Sequence, residues 1–161
     1  MKTILGLDPG YDRLGWAVCQ AEGSNFQVLK LGTIQTDKTL QIYQRYLQLV
    51  TQLTEVINLH QPSQAAIETL FFSKNKSTAL GVSEVRGVCI AHLLQAGIKI
   101  YDYSPNQVKL TVTGSGRADK RAVQKMIKLQ VKLPLAEAVQ LDDALDAVAI
   151  CLTHAMHQRQ Q

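Results

Sequence analysis

The sequence has 161 residues, of which 46% are hydrophobic and 19% are charged, and its formal net charge is +4 at pH 7. This composition excludes an intrinsically disordered chain, and no apolar run reaches the roughly 18 residues that a membrane-spanning helix needs. We therefore expect one globular domain over residues 1–161, with frayed last residues and no membrane partner.

The cysteines favour a reducing compartment. Cys19, Cys89 and Cys151 are odd in number and far apart, without a CxxC or Cys/His pairing that would predict a zinc site. Strand-like sequence begins by residue 3, which leaves no room for a signal peptide ahead of it. These features predict a cytoplasmic protein.

The first third of the chain predicts three strands followed by a helix. Strand-like runs at 3–8, 13–20 and 26–36 are separated by turns, as in an antiparallel meander. Over 40–59 the apolar residues recur at steps of three and four, which predicts an amphipathic helix that Pro62 closes.

The rest of the chain predicts two more strands and four more helices. They lie at 64–70 (strand), 77–97 (helix), 98–103 (strand), 105–112 (helix), 117–131 (a basic helix) and 141–157 (helix). This order of elements is typical of one α/β domain in which helices cover both faces of a mixed five-stranded sheet.

Carboxylates collect at predicted strand positions and on one side of the last helix. Asp8 ends the first strand, and Glu68 lies in the fourth among residues that favour burial. Two buried carboxylates repel one another, and their pKa values rise unless a cation lies between them. Asp142, Asp143 and Asp146 are spaced so that all three lie on one side of the last helix within about one turn.

Two interpretations of the helix aspartates stay open from spacing alone. Oxygen ligands suit Mg²⁺ or Mn²⁺ rather than zinc, and two such ions about 3.5–4 Å apart can assist an in-line displacement at phosphorus. Alternatively, Asp142 and Asp143 cap the helix N-terminus and interact with its dipole. The addition of Asp8 and Glu68 favours the metal site.

Basic residues are concentrated just ahead of the acidic ones. Eight lie from Lys99 to Lys132, against two aspartates. A basic surface beside an acidic cluster is expected of a metal-dependent enzyme that acts on phosphates, although a solvated helix face would give the same pattern.

The segment TVTGSGRADKRAVQK lies within this basic region. It lacks the GxxxxGKS/T spacing of a nucleotide-binding loop. We interpret it as a glycine break before a helix that offers Lys120 and backbone N–H groups to a DNA phosphate. Arg117 and Arg121, with Lys125 and Lys128, are expected to add salt-dependent affinity for the DNA backbone.

The segment LFFSKNKST follows Glu68 and mixes aromatic and basic residues. Aromatic side chains can stack on bases or wedge between them, and lysines pair with phosphates, so Lys74 and Lys76 are candidate DNA-binding residues. The alternative is that Phe71, Phe72 or both anchor the loop in the core.

Five segments together resemble one known family. They are ILGLDPG, AAIETLFFSKN, EVRGV, YSPNQVKLTVTGSGRADKRAVQ and DALDAVAICLTH, in that order from Met1 to about His157. On these segments the chain closely resembles the bacterial RuvC family of Holliday junction resolvases. The resemblance implies an RNase H-like fold and a homodimer that uses Mg²⁺. From the chemistry of the carboxylates we expect two ions per active site and Mn²⁺ as a substitute. The resemblance also implies four carboxylates that bind the metal and catalyse the reaction, namely Asp8, Glu68, Asp143 and Asp146.

The sequence departs from the common family pattern in the last helix. Leu145 stands where a small residue is usual, and Asp142 is an additional acid. We expect the pair three residues apart, Asp143 and Asp146, to face the metal, with Asp142 as a cap or an outer group. His154 is eight residues beyond Asp146, about 12 Å along the helix axis, so we interpret it as structural.

The same resemblance assigns a substrate, products and partners. It implies symmetric paired nicks in a four-way DNA junction by metal-activated water during recombination and repair, leaving 5′-phosphate and 3′-hydroxyl ends. Lys109 and Lys120 match basic residues near the scissile phosphate, Phe71 matches a residue that contacts bases, and Phe72 is then structural. Part of the helix at 77–96 would form the dimer interface, and the RuvA–RuvB branch-migration complex would be a partner.

Three other functions compete with this one. An actin-like or sugar-kinase ATP-binding domain fits LDPGYDRLGWAV, but that architecture needs two such domains. A junction-binding module without catalysis should lack at least one of the carboxylates. An RNase H-like nuclease that acts on RNA–DNA hybrids is the closest rival, and the basic region with the FFSKNK loop favours the junction.

Overall fold

The computed structural model describes residues 1–70, 76–134 and 141–159, which form ten helices and strands. The strands are β1 (Lys2–Pro9), β2 (Arg13–Glu22), β3 (Asn25–Gln35), β4 (Gln64–Glu68) and β5 (Lys99–Tyr103). The helices are α1 (Ile42–His60), α2 (Lys76–Gln95), α3 (Pro105–Thr113), α4 (Lys120–Gln130) and α5 (Leu141–Gln158). Their order is the one that the sequence predicts.

The five strands form one mixed sheet in the order β3-β2-β1-β4-β5. The pairs β1–β2 and β2–β3 are antiparallel, as the predicted meander requires, whereas β1–β4 and β4–β5 are parallel. The parallel connections run through α1 and α2, because a chain that returns to a parallel strand needs a long crossover. The prediction of a mixed α/β sheet is confirmed.

Helices pack on both faces of the sheet and create two cores. Leu5, Leu7 and Ile67 face the core that α1 and α2 cover. Ile4 and Ala66, at alternate strand positions, face the core formed with α3, α4 and α5. No helix in the described part of the chain is both long and apolar enough to cross a membrane.

The last helix is buried on nearly all of its sides. From Ala144 to Ala155 nearly every residue of α5 is buried, because the sheet lies on one side of the helix and α3 and α4 pack on the other. The acidic first turn of α5 therefore leads directly into a helix enclosed by protein. The aspartate side chains of this turn therefore lie beside a core of low dielectric constant.

Capping residues set the boundaries of α3 and α4. The Ser104 side chain accepts from the Gln107 N–H, and the Gln107 side chain accepts from the Ser104 N–H, so a capping box begins α3. Asp119 accepts from the Ala122 N–H at 2.7 Å and begins α4 at Lys120, three residues later than predicted. The cap places Lys120 in the first turn of α4.

Candidate active site

Neighbouring strands place Asp8 and Glu68 side by side. Leu7 pairs with Ile67 across the parallel β1–β4 ladder, and both side chains face the α1–α2 core. The next residue of each strand, Asp8 and Glu68, therefore points to the opposite face, toward α5. The two carboxylates meet at the carboxyl end of the sheet, as the sequence predicts.

Two glycines let α5 approach these strands closely. A Cβ atom at Gly6 of β1 would overlap the Ala147 carbonyl oxygen, and a Cβ atom at Gly15 of β2 would overlap the Asp143 carbonyl oxygen. Gly15 pairs directly with Asp8 across the β1–β2 ladder. The missing side chains thus allow the first turns of α5 to lie against the strand that ends in Asp8.

This approach creates a cluster of three carboxylates. Asp8, Asp143 and Asp146 each offer an oxygen atom, and these oxygens all lie within 4.8 Å of one another. Asp142 is exposed and does not belong to the cluster, so the geometry selects the pair three residues apart. Glu68 lies outside the three-carboxylate cluster but lines the same cavity.

The cavity beside the cluster has a volume of about 240 Å³. Acidic and basic side chains line it together with apolar residues, namely Asp8, Glu68, Pro105, Val108, Lys109, Lys120, Val123, Asp146 and Ala149. It is therefore a cleft with apolar walls in which carboxylates and ammonium groups lie close together, with Lys120 paired to Asp146. Such a cleft strengthens the interactions of charges within it, because water screens them less.

Burial and mutual repulsion raise the pKa values of the two strand carboxylates. Burial raises the pKa of Asp8 to about 8, and the charges of Glu68, Asp146 and Asp143 add to that rise. Burial also raises the pKa of Glu68 to about 7, with a further rise from the charge of Asp146. The protein thus concentrates negative charge in a place where its own cations do not fully neutralise it.

Lys120 supplies part of the neutralising charge. Its ammonium lies 2.5 Å from Asp146 Oδ2 and 3.8 Å from Asp143 Oδ1. Burial lowers the pKa of Lys120, but the hydrogen bond and charge of Asp146 more than offset this, so the pKa is raised overall. Burial raises the pKa of Asp146 as well, and Lys120 opposes that shift. Gln124 Nε2 donates to Asp146 Oδ1 at 3.5 Å.

The donor set fits a hard divalent cation. The three clustered ligands are all carboxylate oxygens, which Mg²⁺ and Mn²⁺ prefer, and neither cysteine nor histidine belongs to the cluster. A cation bound among them would relieve the repulsion that raises the pKa of Asp8. Asp8, Asp143 and Asp146 are the residues that would hold it, with Glu68 close enough to interact.

Two arginines that the sequence analysis missed contact the site. Arg13, at the start of β2, lies 3.7 Å from Asp143 through Nη1 and Oδ2. Arg86, on α2, donates from Nε to the Glu68 carbonyl oxygen at 3.1 Å and pairs with Asp102. Arg13 lies three residues after Gly10 of the Pro-Gly turn, and this proximity to the end of β1 is the sequence signal that could have identified it. Nothing in the spacing of α2 points to Arg86.

The predicted DNA-binding residues divide into three groups. Lys109 and Lys120 line the cavity, whereas Arg117 and Arg121 are exposed and do not. Phe71 and Lys74, together with Phe72, lie outside the described residues. Lys76 begins α2, but its side chain also lies outside the described part of the structure.

His154 lies in a separate polar network toward the other end of α5. The Tyr103 hydroxyl and His154 Nδ1 are 2.8 Å apart, and His154 Nε2 lies 3.1 Å from Gln64 Oε1. Burial lowers the pKa of His154 to about 4. The network keeps a neutral imidazole inside the core, in agreement with the structural interpretation.

Comparison with known proteins identifies the family. The model of the family "Crossover junction endodeoxyribonuclease RuvC" matches residues 4–154. The protein of that name from Caldicellulosiruptor saccharolyticus is 44% identical over 154 residues, 95% of this chain and 92% of the relative. The one from Chloroflexus aggregans is 44% identical over 151 residues, 94% of this chain and 91% of the relative.

Solved structures agree with the sequence relatives. RuvC of T. thermophilus in complex with a Holliday junction substrate superposes with a TM-score of 0.88 at 28% identity, covering 99% of this chain and 96% of that one. The yeast mitochondrial Holliday junction resolvase Ydc2 has a TM-score of 0.67 at 15% identity, covering 99% of this chain and 84% of that one, and supports the fold alone. The chain therefore belongs to the RuvC family of crossover junction endodeoxyribonucleases.

Proposed function

We propose that this protein is a metal-dependent DNA endonuclease that resolves Holliday junctions by symmetric paired nicks, with Asp8, Glu68, Asp143 and Asp146 as the catalytic carboxylates. The observation that carries the proposal is the cluster of Asp8, Asp143 and Asp146 within 4.8 Å, beside a cavity that Glu68 also lines. Family membership supports the substrate, since RuvC of T. thermophilus has been solved with junction DNA.

The bound cation is Mg²⁺ in this proposal, with two ions per site and Mn²⁺ as a substitute. When bound, such ions lower the pKa of an attacking water and neutralise charge at the scissile phosphate. Asp8 of β1 and Asp143 and Asp146 of α5 would supply oxygen ligands, and Glu68 supplies a fourth carboxylate on the cavity wall. Burial raises the pKa of Asp8 and the neighbouring carboxylates raise it further, and this excess of negative charge supports a cationic occupant.

Cations of the chain face the position that a phosphate would occupy. Lys109 and Lys120 lie on the wall of the cavity that also contains the carboxylates. They would hold the scissile phosphate in place and stabilise negative charge that develops on it. Phe71, Lys74 and Lys76 are proposed to contact the junction, and the exposed Arg117 and Arg121 to bind the DNA backbone.

A homodimer fits the two-fold symmetry of the reaction. Two symmetric cuts need two active sites related by a two-fold axis. One side of α2 exposes Leu80 and Leu94, with Gly87 and Ala91 at matching helical positions between them. We assign this side of α2 to the dimer interface. We further propose the RuvA–RuvB complex as a partner of the protein. The proposed location is the cytoplasm, because a reducing compartment suits the three free cysteines.

Neighbouring aspartates provide the sharpest test. Wild type, Asp143→Asn and the matched control Asp142→Asn would be incubated with a mobile four-way junction in Mg²⁺. We expect Asp143→Asn to slow cleavage by at least about 10³-fold while it still binds the junction, and Asp142→Asn to stay within about threefold of wild type. Chelation of the metal should abolish cleavage by wild type and preserve binding.

The products and competing substrates complete the test. Paired nicks that DNA ligase seals directly would support 5′-phosphate and 3′-hydroxyl ends. Cleavage of an RNA–DNA hybrid instead of the junction would contradict the substrate while leaving the fold intact. Junction binding by wild type without any cleavage would instead favour a recognition module.

A further inference from the structure

Arg45, on α1, is a buried arginine remote from the acidic cluster. It is 7% exposed. Among the described residues, no other arginine or lysine and no aspartate or glutamate is buried to this degree. Its Nε donates to Thr36 Oγ1 at 2.9 Å, and its Nη2 donates to the Tyr11 carbonyl oxygen at 3.1 Å and to Asp12 Oδ1 at 3.0 Å. A buried charge is costly unless it is paired and hydrogen-bonded in this way.

Two of the partners of Arg45, Tyr11 and Asp12, lie in the turn that joins β1 to β2. The Gly10 N–H donates to the Arg13 carbonyl oxygen at 2.9 Å and closes this turn. The Arg45 guanidinium also lies over the Tyr11 ring, 5.2 Å from its centre, and the other contacts of that ring include Gly81 of α2. Helices on the far side of the sheet thus hold the turn at its backbone and at its side chains.

The turn positions Arg13 beside the acidic cluster. Arg13 is the first residue of β2, directly after Tyr11 and Asp12, and its guanidinium lies 3.7 Å from Asp143. Arg45 does not contact any of the clustered carboxylates in the described structure, but it bonds the two residues that come directly before Arg13. A fork-shaped guanidinium suits this task, because it bonds Thr36 and the turn at the same time.

We infer that Arg45 is a positioning residue of the active site, which fixes the turn at residues 10–12 so that Arg13 stays beside Asp143. The inference rests on the proposed function for its consequence in catalysis. Arg13 in turn places a cation 3.7 Å from Asp143 Oδ2, while Lys120 lies 3.8 Å from the other oxygen of the same carboxylate. A small displacement of such a group costs rate, because the reacting groups must be held in near-attack geometry.

The competing explanation is that Arg45 merely stabilises the packing of α1. Leu53, two turns further along the same helix, is fully buried in the α1–α2 core and does not touch the turn. Leu53→Ala is therefore the matched control for a general loss of stability. If packing alone matters, both substitutions should lower the cleavage rate in proportion to the fall in melting temperature.

A double-mutant cycle tests the inference. Single-turnover cleavage at saturating enzyme would be measured for wild type, Arg45→Met, Arg13→Ala and the double variant. We expect each single substitution to slow cleavage about tenfold, and the double variant to be within about threefold of the slower single variant, because both remove one interaction. Junction affinity measured in Ca²⁺ should stay within about twofold, and Leu53→Ala should cleave at close to the wild-type rate once folded.

A second readout does not depend on cleavage. Mn²⁺ affinity measured calorimetrically without DNA should rise about threefold in Arg13→Ala, since a cation beside Asp143 is removed. Arg45→Met should reproduce that change, and the double variant should not exceed it. Rate losses or affinity changes that multiply in the double variant would overturn the inference.

Two arrangements keep the outcome interpretable. If Arg45→Met does not fold, Arg45→Lys replaces it in the cycle. Lysine keeps the charge beside Asp12 but cannot bond Thr36 and Tyr11 together. Additive effects of Arg45→Lys and Arg13→Ala would equally overturn the inference. If wild type does not cleave the junction, the proposed function fails, and the Mn²⁺ cycle still decides whether Arg45 acts through Arg13. If wild type cleaves and both cycles are additive, the inference alone fails.

Discussion

The two ends of α5 bury polar groups in opposite ways. At the first turns, Asp143 and Asp146 meet Asp8, and burial with mutual repulsion raises the pKa of Asp8 to about 8. Toward the other end, His154 is buried with a partner on each ring nitrogen, and its pKa falls to about 4. Burial disfavours the charged form at both ends, but only the histidine can become neutral without losing its partners. The first turns of α5, which we assign to catalysis, therefore differ from the His154 end in carrying negative charge that the protein does not neutralise.

The largest expected contrast is in cleavage. Asp146→Asn should reduce junction cleavage by at least about 10³-fold, because it removes a charged ligand from the cluster. His154→Gln should leave the rate per folded molecule within about threefold of wild type, although it removes a buried ring. Single-turnover kinetics together with thermal melts would measure both. A large loss of rate in a well-folded His154→Gln protein would break the comparison.

The next contrast concerns the stability of the metal-free protein. Because the folded pKa of Asp8 lies above its unfolded value, the native state binds more protons, and stability falls as the pH rises from about 4 to about 8. Asp8→Asn should therefore be more stable than wild type by about 3 kcal/mol at pH 8.5 and by less at pH 5. Denaturant unfolding with chelator at both pH values provides the measurement. Saturating Mg²⁺ should reverse the order of the two proteins.

The histidine end should respond to pH in the opposite direction. The folded pKa of His154 is depressed to about 4, so the unfolded state binds the extra proton and stability is lost as the pH falls from about 6.5 to 4. Wild type should lose about 2 kcal/mol over this interval relative to His154→Gln. Parallel unfolding curves at pH 7 and pH 4.5 compare the two proteins. Equal losses in both would show that His154 does not contribute.

The smallest expected effect concerns the second arginine at the site. Arg86→Met removes the donor to the Glu68 carbonyl oxygen and should slow cleavage about fivefold, since it loosens the end of β4 without removing a carboxylate. Asp102→Asn is the matched control, because it weakens the Arg86 pairing at a half-exposed carboxylate and leaves the bond to Glu68. Its rate should stay within about twofold of wild type. An equal loss in both variants would assign the effect to the ion pair instead.

Much of the fold could be predicted because its elements carry strong local signals. The strand patterns, the Pro-Gly turn and the three- and four-residue apolar steps predicted every element in order. The predicted start of α4 was three residues too early, because the charge pattern does not reveal that Asp119 caps the helix. The burial of α5 on nearly all sides was missed, because it depends on α3 and α4 packing over a helix that already covers the sheet.

The site could be predicted as a set of carboxylates but not as a geometry. Strand ends and helix spacing pointed to Asp8, Glu68 and the three aspartates of the last helix, and the family resemblance selected Asp143 and Asp146 among them. The structure clusters Asp8, Asp143 and Asp146 and places Glu68 on the wall of the adjacent cavity. The contacts of Arg13, Arg45 and Arg86 were missed, because each joins elements that are far apart in the chain. Long-range pairings of this kind leave no periodic trace in the sequence.

The close contact at Gly15 has a consequence for the stiffness of the site. A Cβ atom there would overlap the Asp143 carbonyl oxygen, so main chain lies against main chain where the helix meets the sheet. Such a contact contains no rotatable side-chain bond, and the position of the Asp143 backbone cannot relax by a change of rotamer. The position of α5, which carries Asp143 and Asp146, is therefore fixed relative to the hydrogen-bonded sheet. The spacing of the acids should therefore vary with temperature as little as the sheet itself does.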